Sequence, residues 1–137
     1  FQTYTRNKVD ERTGIYYESA VVYSKSNSAL NYLHEQFYGQ GHKELSEDIM
    51  KNYTDLSLAT HYMDDGSKTS GTFTLYTTSF NNTSIDIFRG YLKDKWNIET
   101  TKKSSNDVYI RAKSRGIFQE IIKPHIIPSM EYKLYDF

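Results

Sequence analysis

The spacing of hydrophobic and polar positions changes several times along the chain, and each change marks an element. After a polar, turn-rich opening that closes at Thr13-Gly14, the run YYESAVVY (Tyr16–Tyr23) is aromatic and β-branched, which predicts a strand beginning near Ile15. Leu30, Leu33 and Phe37 then recur at three- and four-residue spacing, the mark of a one-sided helix capped by Ser26 or Ser28 and ended before Gly39 and Gly41. Residues 42–53 are mixed and polar. Thr54 or Asp55 caps a second helix, with apolar positions Leu56, Leu58, Ala59, Tyr62 and Met63, that stops at Asp64-Asp65-Gly66. Residues 72–78 alternate, with Phe73, Leu75 and Thr77 on one face and Thr72, Thr74, Tyr76 and Thr78 on the other. A helix capped by Ser84 follows, with Ile85, Phe88, Leu92 and Trp96 on its buried stripe. Two strand-like runs, 98–103 and 107–113, meet at the turn Ser104-Ser105-Asn106. In the second run Val108, Ile110 and Ala112 point inward and Tyr109, Arg111 and Lys113 share the outer face. A last helix, 114–122, is halted by Pro124. This order predicts an α+β fold, an antiparallel sheet with helices over one face.

A length of 137 residues fits one core rather than two independent ones. Aromatic residues at 15% exclude a disordered chain, and no apolar run approaches the roughly 20 residues that cross a bilayer. With no cysteine, any metal must be held by oxygen or imidazole. The net charge of zero hides an asymmetry: residues 1–65 hold 6 Lys/Arg against 10 Asp/Glu and residues 66–137 hold 11 against 7, so the halves stand at −4 and +4. An acidic partner is expected on the second half.

Asp64-Asp65 places two carboxylates at the unfavourable end of the helix dipole. One reading is a solvated helix-stop turn, Asp64-Asp65-Gly66-Ser67. The other is a hard oxygen site for Mg²⁺, which takes one or two carboxylates together with water and phosphate oxygens. The dipeptide alone leaves both open.

Its surroundings add a resemblance. LATHYMDDG (residues 58–66), followed by Ser67-Lys68, resembles the second signature helix of the LAGLIDADG homing endonucleases, above all the monomeric ones. ALNYLHEQFY (Ala29–Tyr38), Thr77-Thr78-Ser79-Phe80 and the closing IKPHIIPSMEYKL (residues 122–134) are similar to the family in wording and spacing, so the resemblance covers about residues 15–134. It implies the family's fold, a β-saddle over DNA with helices on one face. It also implies that Asp65 binds the metal, Mg²⁺, with Asp64 beside it as a helix-end residue. Lys133 matches a family lysine that reaches toward the catalytic centre, and Lys43 matches a counterpart from the other half. Such lysines order the attacking water or counter charge on phosphate. Lys68, Thr72, Thr74, Tyr76, Tyr109, Arg111 and Lys113 are the residues expected to contact nucleic acid.

The chain departs from the family pattern in three ways. It holds one signature helix where two must pack together, it places Thr60 and His61 in the middle of that helix, and its net charge is low for a duplex-binding protein. His61 reads as a packed or interfacial histidine rather than a ligand. Residues 1–53 read as the tail of a first half-domain, and residues 54–137 as a half-domain with its signature helix. The expected partner is therefore a second copy or a separate chain that supplies the other helix. The resemblance implies a site-specific endonuclease that hydrolyses duplex DNA with a divalent metal, in an organelle or in bacterial or phage cytoplasm, with no membrane association. The alternative it leaves is a non-catalytic RNA-binding descendant, an intron maturase or ribonucleoprotein component. The intact Asp65 and Lys133 favour the first; the absent half and the neutral charge favour the second.

Overall fold

The computed structural model describes residues 2–136, apart from the side chains of Gln2, Tyr4 and Arg6. Its first strand, β1 (Gln2–Val9), is one that the residue pattern does not announce, because polar residues run through it. It pairs antiparallel with β2 (Tyr16–Tyr23), Val9 lying opposite Tyr16. Asp10 organises the loop between them: its Oδ1 accepts from the Arg12 and Thr13 amides at 2.9 and 3.0 Å, and Gly14 closes the turn at φ +68°. Helix α1 (Ala29–Tyr38) is started by Asn27, whose Oδ1 accepts from the Ala29 amide at 2.9 Å, rather than by Ser26 or Ser28. No residue of α1 is buried.

The chain divides into two compact units, residues 1–35 and 36–137. Residues 42–53 contain a short helix, α2 (Glu47–Lys51), that belongs to the second unit. Ser46 caps it, Met50 enters the second unit's core, and the Leu45 amide donates to Ser84 Oγ at 2.9 Å. Five residues are too few to show a period, which is why the pattern hid it.

The second unit then runs α3 (Asp55–Asp65), β3 (Gly66–Thr69), β4 (Thr72–Leu75), α4 (Asn82–Trp96), β5 (Thr100–Lys102), β6 (Val108–Ile110) and α5 (Arg115–Ile122). Thr54 caps α3, accepting from the Ser57 amide at 3.2 Å. Asn81, not Ser84, caps α4; Ser84 is buried and its hydroxyl is committed to Leu45. The strands form an antiparallel sheet in the order β3-β4-β6-β5. Strand β3 is new relative to the residue pattern: the chain leaves α3 straight into it and turns back through Ser70-Gly71, both at positive φ, as a tight hairpin requires. The expected hairpin over 98–113 is present, but β6 ends at Ile110, and a 3-10 turn over Ala112–Ser114 exposes Ala112. Pro124 lies in a 3-10 turn over Lys123–His125, and another runs over Pro128–Lys133.

The core lies between one face of the sheet and the helices. Leu58, Ala59 and Tyr62 of α3 meet Phe73, Leu75, Val108 and Ile110 of the sheet, with Ile85, Phe88 and Leu92 of α4 and Phe118 and Ile122 of α5 around them. Tyr62 sits edge-on to both Phe73 and Phe118 with centroids 5.4 Å apart, a geometry that adds to area burial. Burying each such side chain is worth about 1.5–3 kcal/mol. Helix α3 is therefore at the middle of the second unit's core.

Candidate functional site

The face of the sheet away from the helices carries hydroxyls. Register pairs Ser67 with Thr74, Thr74 with Tyr109 and Tyr109 with Thr101, so one row across all four strands reads Ser, Thr, Tyr, Thr. The adjacent row, Gly66, Leu75, Val108 and Lys102, lies on the core side. Ser67 Oγ lies 3.0 Å from Tyr76 OH, and Thr69 Oγ1 lies 3.1 Å from Thr74 Oγ1. Lys103 Nζ sits 3.9 Å above the Tyr109 ring, adding a cation beside the row. Hydroxyls can donate to or accept from any base edge or phosphate, so this surface suits nucleic acid without demanding a high net charge.

At the rim of this sheet, α3 ends on exposed Asp64 and Asp65. Beside that end is a cavity of about 380 Å³ lined by Lys43, His61, Asp64, Asp65, Tyr76 and Phe80 among others. Lys43 Nζ lies 4.4 Å over the Phe80 ring. Tyr53 OH and His61 Nδ1 are 2.9 Å apart, and His61 also bonds the Tyr76 backbone, whose amide donates to the Asp65 carbonyl at 2.7 Å. Burial pushes the His61 imidazole below its usual value, against the opposing pull of the Tyr76 backbone and Asp65. The expectation of a packed histidine fits: His61 is edge-on to Tyr53 and tilted on Phe88, centroids 6.5 and 5.6 Å apart. Thr60 remains exposed on the helix, its Oγ1 donating back to the Leu56 carbonyl at 2.8 Å.

Asp65 and Lys43 are thus brought together, but several expected site residues stand elsewhere. Lys133 reaches the end of α3 through the backbone, its Nζ donating to the carbonyls of Met63, Gly66 and Tyr62 at 2.5, 2.9 and 3.4 Å. Lys68 pairs with Phe73 in register, hence on the core side of the sheet, where its Nζ donates to the Leu134 carbonyl at 2.7 Å. Thr74 is on the outer face as expected yet only 1% exposed, because it occupies a central strand between Thr69 and Tyr109. Thr72, Tyr76 and Tyr109 keep at least partial exposure. Arg111 and Lys113 both pair with Glu99, at 3.4 and 2.6 Å, and Lys113 has left the strand for the 3-10 turn. Lys113 first, and Lys93 with it, hold the Glu99 carboxyl down at about 2. Sequence reasoning missed Ser67, Thr101 and Lys103. Lys103 and Thr101 share the period-two phase of Tyr109's partner strand, a signal present once the hairpin is registered; Ser67 was hidden with β3.

The model of the LAGLIDADG DNA endonuclease family matches residues 1–118. The chain belongs to that family. Among curated members it is similar to cytochrome b mRNA maturase bI2 of Debaryomyces hansenii, 34% identical over 110 residues, covering 77% of this chain and 42% of that protein. It is also similar to intron-encoded endonuclease ai4 of Dictyostelium discoideum, 31% identical over 112 residues, covering 77% of this chain and 70% of that one. This LAGLIDADG chain thus spans under half the length of the maturase it matches. In fold it resembles the homing endonuclease I-WcaI, solved bound to its DNA recognition sequence, with a TM-score of 0.84 at 24% identity over 100% of this chain and 65% of that one. The α+β LAGLIDADG fold expected from the sequence is the observed fold, and the stretch that resembles the family's signature helix forms α3.

Proposed function

We propose that this chain is the carboxyl-terminal part of a site-specific endonuclease that hydrolyses phosphodiester bonds of duplex DNA with Mg²⁺. The observation that carries the reading is the placement of exposed Asp65, with Lys43 in the same cavity, at the rim of a hydroxyl-bearing antiparallel sheet in a LAGLIDADG chain. The donor set fits a hard cation: Asp65 offers carboxylate oxygen, with Asp64 beside it. Among the described residues no group of three or more His, Cys, Asp or Glu could hold a metal ion, so the reading requires a second acid from outside this chain. Mg²⁺ bound there would supply charge stabilisation on phosphate and a more acidic water. The chain's own residues grip and orient the duplex through Ser67, Thr72, Tyr76, Thr101, Tyr109 and Lys103.

The second acid would come from a partner helix, whether on a second copy or a separate polypeptide, laid on the outward stripe of α3. Leu56 is 55% exposed there, and the Thr60 hydroxyl is already satisfied by its own helix, which leaves a face with little polar cost to cover. The protein works inside the cell, in whichever compartment holds its target. Among the described residues no helix is long and apolar enough to cross a membrane.

A second reading, an RNA-binding maturase, is favoured by the 34% identity to a protein named as an mRNA maturase. One experiment separates the two: the chain with a partner half is screened for cleavage of a randomised duplex library in Mg²⁺, beside recovery of bound RNA. The expected result is cutting at a long site, abolished in Asp65→Asn with duplex binding retained. Recovery of a defined RNA without any cut duplex, unchanged in Asp65→Asn, would replace the endonuclease reading with the maturase one.

A further inference from the structure

Strand β3 is a four-residue strand at the edge of the sheet, and the turn that joins it to β4 holds Ser70 at φ +34°, a left-handed conformation that a side chain disfavours. A hairpin this short is marginal by itself. Its tip is nevertheless tied down by residues far along the chain. Arg115, the first residue of α5, donates through Nη1 to the Gly71 carbonyl at 2.5 Å. Thr69 and Thr72 lie opposite each other at the mouth of the turn, and Tyr135 OH donates to the Thr72 carbonyl at 2.9 Å, with the Thr69 carbonyl 3.4 Å away. Carbonyls at a hairpin tip ordinarily face water. Here those of Thr69, Gly71 and Thr72 meet side-chain donors.

Tyr135 is itself fixed from several sides. Its ring is edge-on to buried Phe73 with centroids 5.0 Å apart, and the cations of Lys68 and Arg115 lie over it at 5.3 and 5.5 Å. Gln119, one turn beyond Arg115 on α5 and buried, donates to the Tyr135 carbonyl at 2.9 Å and accepts from its amide at 2.8 Å. The hairpin tip, the first turns of α5 and Tyr135 thus form one bonded unit.

We propose that Tyr135 is a positioning residue for base recognition: with Arg115 it latches the tip of the β3–β4 hairpin to the helix layer and so fixes where Ser67 and Thr72 stand on the outer face. Reading a base edge needs each donor and acceptor placed within about 0.5 Å, whereas phosphate contacts set register and grip. Releasing the latch therefore costs discrimination before it costs affinity. That the outer face reads duplex DNA rests on the function proposed above; the latch itself does not.

The test has two arms. In the first, amide hydrogen exchange of the full ¹⁵N-labelled chain is read at Thr69 and Thr72, with Phe88 in α4 as the control. Tyr135→Phe keeps the ring and its packing and removes only the hydroxyl. Exchange at Thr69 and Thr72 should rise roughly three- to tenfold, a hydrogen bond's worth, and Phe88 should not change. Arg115→Met should raise exchange at Gly71 and Thr72 in the same way. Unchanged exchange in both variants would overturn the latch. In the second arm, the chain with a partner half is assayed on the randomised duplex library. Tyr135→Phe should keep kcat on the preferred site and the salt dependence of binding, and lower discrimination between bases several-fold at a few adjacent positions of the site. An equal loss at every position would make Tyr135 merely structural and overturn its positioning role. In Arg115→Met, a salt slope lowered by about one with unchanged exchange would make Arg115 a phosphate contact and remove it from the latch. If the wild type selects no duplex, the function proposed above falls and the exchange arm still decides the latch.

Discussion

Residues 2–38 and residues 100–122 are each an antiparallel hairpin followed by a helix, and they end up in opposite environments. In the second, Val108, Ile110, Phe118 and Ile122 are all buried to within 1%. In the first, with longer strands, Tyr16, Val22, Leu30 and Leu33 are about half exposed. The difference is α3. It lays Leu58, Ala59 and Tyr62 into the second hairpin–helix, whereas no residue of α1 is buried. A hairpin and a helix do not make a core by themselves; a third element must close the layer. The helix that ends in Asp64-Asp65 is also the one at the middle of this core.

The comparison breaks if the matching positions behave alike. Phe118→Ala should cost about 3–5 kcal/mol in denaturant unfolding, whereas Leu33→Ala in α1 should stay within about 0.5 kcal/mol. Equal losses would mean that the first hairpin–helix has a core the exposure values do not show.

A smaller loss is expected at the junction unique to the second region. An alanine Cβ at Gly66 would overlap Tyr62 Cδ2 and lie 2.5 Å from the Tyr62 oxygen and 2.9 Å from its Cα. These include backbone atoms, which cannot swing aside. Gly66→Ala should lower stability by about 1–3 kcal/mol or more, read as a lower denaturant midpoint.

The smallest effect is electrostatic. The His61 imidazole titrates below its ordinary value in the folded chain because it is buried. The unfolded chain therefore takes up the proton first on acidification. The contribution is complete above the unfolded value of about 6.5 and is lost as pH falls below it, by up to about 1.4 kcal/mol per pH unit. Thermal midpoints measured from neutral pH down to pH ~5 should fall with this slope and flatten in His61→Gln. An unchanged slope would place the acid sensitivity elsewhere.

Much of this was legible in the residues. The periods of α3, α4 and α5 were long enough to read, and the turn Ser104-Ser105-Asn106 fixed the β5–β6 hairpin. What the pattern hid has physical causes. Polar residues run through strand β1, so it shows no apolar alternation; β3 has four residues and α2 has five, too few for a period. The place of Asp64-Asp65 at a helix end was legible because α3 is long enough to show its period and stops before Gly66. Lys133 was legible as a residue of interest but not in its partners, since its bond to Met63 spans 70 positions. Arg111 and Lys113 looked like free cations because no local signal ties Glu99 to them across the hairpin.

That span of 70 positions also has a consequence in time. A ribosome adding about 5–20 residues each second delivers Lys133 on the order of 4–14 seconds after the end of α3. Until then the carbonyls of Tyr62, Met63 and Gly66 lack the Lys133 ammonium. This end of α3 is a late product of synthesis, completed only after nearly all of the second unit, residues 36–137, has been made.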